Sequence, residues 1–125
     1  MANQSLPELL AQTQAFNKDE NFTATYDLLT PEILQQRNNA ALYAEAAQAC
    51  WRLKKYDECE NYADKALSIE PDNARANHYK GSIFYNAKNY PKAIEYYEKA
   101  IDKDSNYAYP YNGLGNVYVT LKDLP

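Results

Sequence analysis

The chain repeats itself every 34 residues, and no insertion interrupts this period. One column of mostly large side chains holds Phe16, Cys50, Phe84 and Tyr118. A second column, of small side chains, holds Thr13, Ala47, Gly81 and Gly115. Self-similarity at such a period is typical of repeat architectures, in which each unit packs against its neighbours and not around one centre. The period constrains the fold more than any other feature of the sequence.

Each unit is predicted to be a helix, a short turn and a second helix. In residues 74–107 a first stripe of small and apolar side chains at helical spacing ends at Lys88-Asn89, where the turn is predicted. A second stripe follows, with members at intervals of three and four: Ala93, Ile94, Tyr97, Ala100 and Ile101. The chain has only 3 glycines, which leaves few of the turns that β-hairpins require. An all-α fold is therefore expected.

These columns resemble those of the tetratricopeptide repeat (TPR) family. The side chains at the family's small and aromatic packing positions are Gly81, Phe84, Tyr90, Ala93, Tyr97 and Ala100. The resemblance extends from about residue 40 to residue 125. It implies an all-α, right-handed α-solenoid of antiparallel helix pairs, a TPR-like superhelix of about seven main helices with an unpaired last helix.

A single domain, residues 1–125, is expected to contain one degenerate unit and three clearer ones. The units are 6–39 (degenerate), 40–73, 74–107 and 108–125, of which the last holds only the first helix of a truncated repeat. Pro31 falls inside the second helix of the degenerate unit, where it would remove a hydrogen bond. Thr30 and Pro31 therefore predict a helix cap followed by a new short helix.

The last predicted helix carries an apolar edge that a following helix would partly cover. Its apolar residues are Leu114, Val117, Tyr118 and Leu121. Two interpretations compete: the chain is a fragment of a longer array, or the edge pairs with another copy in a homo-oligomer.

Composition argues against nucleic acid and membrane partners. The chain has 13 basic and 17 acidic residues, a net charge of −4, so a concentrated basic face is not expected. No apolar run approaches the roughly 20 residues that cross a bilayer. The first residues lack the pattern of a secretory signal, and a cytoplasmic location is expected.

Few groups for catalysis are present. His78 is the only histidine, so no pair of histidine metal ligands exists, and a polar residue lining a groove is the simpler interpretation. Cys50 and Cys59 lie in core columns and are expected to be buried and unreactive. The sequence predicts no enzyme, no metal and no cofactor.

The resemblance implies that the first helices line a concave face, which typically binds a peptide or a partner protein. The candidate contact residues are Gln48, Trp51, Arg52, Arg75, His78, Tyr79, Ser82, Tyr85, Asn86, Tyr109, Asn112 and Asn116, and the surface extends to Gln14, Asn17 and Lys18. Trp51 and Tyr85 share one column and are predicted to form a binding hot spot. The alternative is that Trp51 packs between adjacent first helices.

Charge in this predicted groove is sparse. Some family members bind acidic chaperone C-termini through a clamp of lysines, arginine and asparagines, and those lysines are missing here. Arg52 and Arg75 are expected to leave local positive charge that orients an acidic segment. The leading interpretation is a non-catalytic scaffold for a peptide or partner segment. The alternatives are a self-association module and the targeting domain of a larger enzyme.

Overall fold

A computed structural model describes residues 4–123, and within this range it is helical with no strands. The eight helices are α1 (Leu6–Lys18), α2 (Phe22–Leu28), α3 (Pro31–Arg37), α4 (Ala40–Arg52), α5 (Tyr56–Ile69), α6 (Ala74–Asn86), α7 (Tyr90–Lys103) and α8 (Ala108–Lys122). The predicted all-α fold is confirmed. Residues 124 and 125 of the predicted last unit lie outside the described part.

The 34-residue period fixes the turn inside each helix pair. Glu20, Lys54 and Lys88 have φ angles of 61°, 64° and 63°, the left-handed region, and they lie 34 residues apart. Each sits in a three-residue connection, between α1 and α2, between α4 and α5, and between α6 and α7. Because one left-handed residue reverses the chain at the same place each time, successive pairs have the same geometry.

The predicted break near Thr30 is confirmed. The hydroxyl of Thr30 accepts a hydrogen bond from the backbone N–H of Ile33 (3.2 Å), and Pro31 is the first residue of α3. Proline needs no donor at this position, and its fixed φ suits the start of a helix. The second helix of the first unit is thereby divided into α2 and α3, and residues 4–123 therefore contain eight helices where about seven were expected.

The helices form two layers. α4 packs against α5, and α6 packs against α7, as antiparallel pairs. α4 also contacts α1 and α6, and α6 contacts α8, so the first helices of successive units lie side by side. The interior between the layers is made largely of small, fully buried side chains, among them Ala47, Cys50, Cys59, Ala63 and Ala66.

Tyr97 on α7 fills the space between two glycines. A Cβ atom placed on Gly81 of α6 would lie 2.7 Å from Cδ1 of the Tyr97 ring. A Cβ on Gly113 of α8 would lie 2.6 Å from Cε1 of the same ring. One period earlier the large and small side chains are exchanged: Ala63 is at the position equivalent to Tyr97, and Tyr79 is at the position equivalent to Gly113. Large and small side chains therefore alternate between layers to keep the core filled.

Both cysteines are free and fully buried, as expected. Burial raises the pKa of Cys50 and of Cys59 to about 12. The thiolate is the reactive form, so these thiols are protected at neutral pH.

The outer face of α8 exposes apolar side chains. Tyr118 is 51% exposed and Val119 is 62% exposed. A Cβ on Gly115 would meet nothing within 4 Å, unlike the equivalent Gly81. No helix in the described range has both the length and the apolar character needed to cross a membrane.

Candidate partner-binding groove

Two adjoining cavities, of about 250 and 310 Å³, lie on the face formed by the first helices. Both are lined by Gln14 of α1, Glu45 of α4 and Arg75 of α6. The other residues of the smaller cavity are Ala41, Ala44, Asn73, Ala74, Asp104 and Tyr107. The other residues of the larger cavity are Asn17, Lys18, Glu20, Gln48, Arg52 and Tyr109. We call the surface formed by these two cavities the groove.

An ion pair between a buried carboxylate and a half-buried guanidinium forms the floor of the groove. Glu45 is only 3% exposed, and its Oε2 accepts a hydrogen bond from Nη1 of Arg75. Its Oε1 accepts a second bond from Nδ2 of Asn17 (2.8 Å). The hydroxyl of Thr25 donates to Oδ1 of Asn17 (2.6 Å), which extends the network into α2. One chain of polar contacts therefore links α2, α1, α4 and α6 beneath the groove.

The environment keeps Arg75 charged and in place. Burial alone would lower its pKa, but Glu45, together with Tyr107 and Tyr79, outweighs this effect and the pKa is raised. Burial raises the pKa of the neighbouring Tyr107 to about 12, against the opposing influence of Arg75. The guanidinium therefore lies between a carboxylate that fixes it and a neutral phenol.

The second arginine at the groove also has a carboxylate partner. Nη2 of Arg52 lies 3.3 Å from Oε1 of Glu20, and both side chains are largely exposed. The sequence predicted local positive charge free to orient an acidic ligand. The structure corrects this expectation, because both Arg52 and Arg75 are paired with carboxylates.

Four of the twelve predicted contact residues line the groove: Gln48, Arg52, Arg75 and Tyr109. Tyr109 is 58% exposed and stands at the end formed by α8. Gln48 is half-buried on α4. These side chains combine an aromatic ring, an amide and guanidinium groups, a composition suited to hydrogen-bonded contact with a polypeptide.

Three predicted contact residues, His78, Tyr79 and Ser82, are buried, and this corrects their expected position on the ligand surface. Tyr79 belongs to the main hydrophobic cluster, and burial raises its pKa well above the usual value. Ser82 Oγ lies 2.9 Å from the hydroxyl of Tyr97, within hydrogen-bond distance. These side chains join helices to one another, so they present little surface to a ligand.

His78 is packed among aromatic rings. Its ring centroid lies between 4.8 and 6.0 Å from those of Tyr79, Tyr97, Tyr107 and Tyr109. Burial, assisted by the positive charge of Arg75, lowers the pKa of His78 to about 4. The imidazole is therefore neutral at pH 7 and is a packing residue between α6 and α8.

The two members of the predicted hot spot make internal contacts. The Trp51 ring lies 4.9 Å from that of Tyr56 and 6.2 Å from that of Tyr79, which places it between the first helices α4 and α6. The hydroxyl of Tyr85 lies 2.9 Å from that of Thr120 on α8. This geometry agrees with the packing alternative for Trp51, and it gives Tyr85 a similar role.

The remaining candidates, Asn86, Asn112 and Asn116, are exposed but do not line either cavity. Two residues that line the smaller cavity, Glu45 and Tyr107, were not predicted from the sequence. The period contained a signal for Glu45, because this residue is 34 positions before Tyr79 and therefore in a column already assigned to the inner face. A lone carboxylate within an alanine-rich helix was the second signal.

The described residues form a helical repeat solenoid with a polar groove along its first helices. Family models described as "Tetratricopeptide repeat" and "TPR repeat" match residues 40–83 and 81–122 respectively. The chain belongs to the tetratricopeptide repeat family. A comparison with curated proteins found no significant match.

Solved structures show the same fold. The Sgt2 TPR domain from Aspergillus fumigatus has a TM-score of 0.77 at 20% identity, over 94% of this chain and 79% of that one. The first TPR domain of human RPAP3 has a TM-score of 0.76 at 20% identity, over 91% and 90%. The first TPR of Spaghetti (RPAP3) has a TM-score of 0.75 at 20% identity, over 92% and 91%.

Proposed function

We propose that the protein is a non-catalytic interaction scaffold that binds a peptide or a segment of a partner protein in the groove. The observation that carries this proposal is the groove itself, which four successive first helices build and line with hydrogen-bonding side chains. TPR domains are protein–protein interaction modules. The first TPR of Spaghetti is bound to an HSP90 peptide, SRMEEVD, and the second TPR domain of human RPAP3 is in complex with an HSP70 peptide, SGPTIEEVD.

The charged groups of the groove support binding more than catalysis. Glu45 uses both carboxylate oxygens for hydrogen bonds, and Arg75 and Arg52 are engaged by carboxylates. A general base or nucleophile needs a free group next to a position that a substrate can reach.

We further propose a cytoplasmic location, which the two free cysteines favour.

Substitution of exposed groove residues tests the proposal. Partners are captured from a lysate of the source cells with the full chain, identified by mass spectrometry, and then titrated as purified proteins. We expect Tyr109→Ala and Gln48→Ala to weaken binding at least about fivefold with little change in the melting temperature, because Tyr109 is mostly exposed and Gln48 is only half-buried. Glu95→Ala, on the exposed face of α7, is the matched control. Equal loss in the control, or no loss in either groove variant, contradicts the proposal.

A second candidate function is self-association through α8, which its exposed apolar face favours. Tyr118 and Val119 would be covered by the same face of another copy in a two-fold pair. We expect a rise in the sedimentation coefficient with concentration, and its loss in Val119→Glu. A chain that stays monomeric over the whole concentration range eliminates this candidate.

A further inference from the structure

Arg75 is the cation that both cavities of the groove share. Its side chain is 37% exposed, so a ligand in the groove can reach it. A planar guanidinium with several donors binds carboxylates well, and alone it would make the groove a site for acidic segments.

The Arg75 guanidinium already has an intramolecular partner, the carboxylate of Glu45. This carboxylate is almost completely buried, and it accepts hydrogen bonds from Arg75 on one oxygen and from Asn17 on the other. An acidic ligand at Arg75 would have to approach this fixed negative charge and compete with an intramolecular partner. If the ligand displaced Glu45, it would leave a buried carboxylate without its counterion, which is strongly unfavourable.

The basic and acidic side chains that line the groove are equal in number. The lining contains three basic side chains, Lys18, Arg52 and Arg75, and three acidic ones, Glu20, Glu45 and Asp104. The uncharged polar side chains between them include the amides Gln14 and Gln48. An amide both donates and accepts hydrogen bonds, and it therefore matches a peptide main chain or another amide.

We propose that Glu45 determines the ligand class of the groove: by masking Arg75 it excludes acidic segments and selects a polypeptide segment that presents main-chain and Asn or Gln amides. This inference rests on the proposed function, since it names the kind of segment that the scaffold binds. From the sequence, Arg52 and Arg75 were expected to orient an acidic segment. We now propose a ligand segment that has no net negative charge.

The test compares a carboxylate with an amide of nearly the same shape. Sodium acetate and acetamide are titrated into the full chain at constant ionic strength, and the NMR signal of the Arg75 Nε–H group is followed. In the unmodified protein we expect acetate to shift this signal no more than acetamide does. In Glu45→Gln, which keeps the shape but removes the charge, we expect acetate to bind at least about tenfold more tightly than in the unmodified protein.

A matched control removes a carboxylate elsewhere. Glu95 forms an exposed ion pair with Lys99 on α7 (3.3 Å), so Glu95→Gln changes the net charge equally but leaves the groove intact. We expect this variant to behave as the unmodified protein does. If acetate shifts the Arg75 signal strongly in the unmodified protein, or equally in both variants, Glu45 does not mask Arg75 and the inference is wrong.

A second measurement covers the case in which Glu45→Gln does not fold. The acidic peptide SRMEEVD, and the same peptide with Gln and Asn in place of its Glu and Asp residues, are titrated into the unmodified chain at constant ionic strength, and we expect the uncharged form to bind at least as tightly as the acidic one. Tighter binding of the acidic form shows that the groove accepts acidic ligands and overturns the inference. These results are independent of the proposed function, which fails instead when groove substitutions leave partner binding unchanged.

Discussion

Alanine at Gly113 should destabilise the protein, whereas alanine at Gly115 on the same helix should stabilise it. A Cβ at position 113 would lie 2.6 Å from Cε1 and 2.8 Å from Cε2 of Tyr97, well inside van der Waals contact. A Cβ at position 115 would meet nothing within 4 Å. The two substitutions therefore make the same chemical change in two opposite environments.

The size of the effect follows from how tightly the Tyr97 ring is held. The ring cannot move toward α6, because the backbone at Gly81 approaches it from that side. The Tyr97 hydroxyl is also within hydrogen-bond distance of Ser82 (2.9 Å). Overpacking costs about 1–3 kcal/mol, and a held ring places this site near the upper value. Helix propensity offsets up to about 1 kcal/mol, so we expect a net loss of about 2 kcal/mol at position 113.

The assay is equilibrium unfolding of the full chain in urea. Gly115→Ala should raise the free energy of unfolding by about 0.5–1 kcal/mol, since it gains only helix propensity. In a Tyr97→Leu background, Gly113→Ala should cost less stability than it does in the unmodified chain, because the smaller side chain leaves room for the new methyl group. If both alanine variants are stabilised equally, the close contact between α7 and α8 is not present.

Three further predictions concern His78, the cysteines and the break between α2 and α3. Because the folded pKa of His78 is about 4 and its ordinary value is 6.5, the unfolded chain binds the proton first. Stability should therefore fall by up to about 3 kcal/mol as the pH decreases from 6.5 to 4, and urea unfolding should show a smaller fall in His78→Phe. Cys50 and Cys59 should react with iodoacetamide at neutral pH only at the rate of local unfolding, as mass spectrometry over time can measure. Thr30→Ala should lower the melting temperature through the loss of about 1 kcal/mol of helix capping, and an unchanged value would contradict the assigned cap.

Much of the fold could be predicted from sequence because the repeat encodes it locally. The turn positions recur with the period. Pro31 marks the point at which the second helix of the first unit is divided into α2 and α3. These features depend on neighbours in the sequence, so the pattern alone is sufficient to predict them.

The site was harder to predict because burial depends on residues far away in the chain. A column shows which side of a helix a residue occupies, but not how much space the facing helix leaves. In one repeat, Tyr79 is the large buried side chain and it lies in the same cluster as the small Ala63. In the next repeat the equivalent of Ala63 is Tyr97, which fills the core, and the equivalent of Tyr79 is Gly113. The masking of Arg75 by Glu45 joins residues 30 positions apart on two helices, and only the assembled layer brings them together.

Mapping the contact surface of a bound partner tests most directly whether the groove is the binding site. A photo-crosslinking amino acid is placed at Gln48 in the groove or at Glu95 on α7, in the full chain with the captured and purified partner. We predict a saturable crosslink from position 48, which excess unlabelled chain suppresses, and only background from position 95. A partner that crosslinks from position 95 and not from position 48 would contradict the account, since it would bind the outer layer of helices.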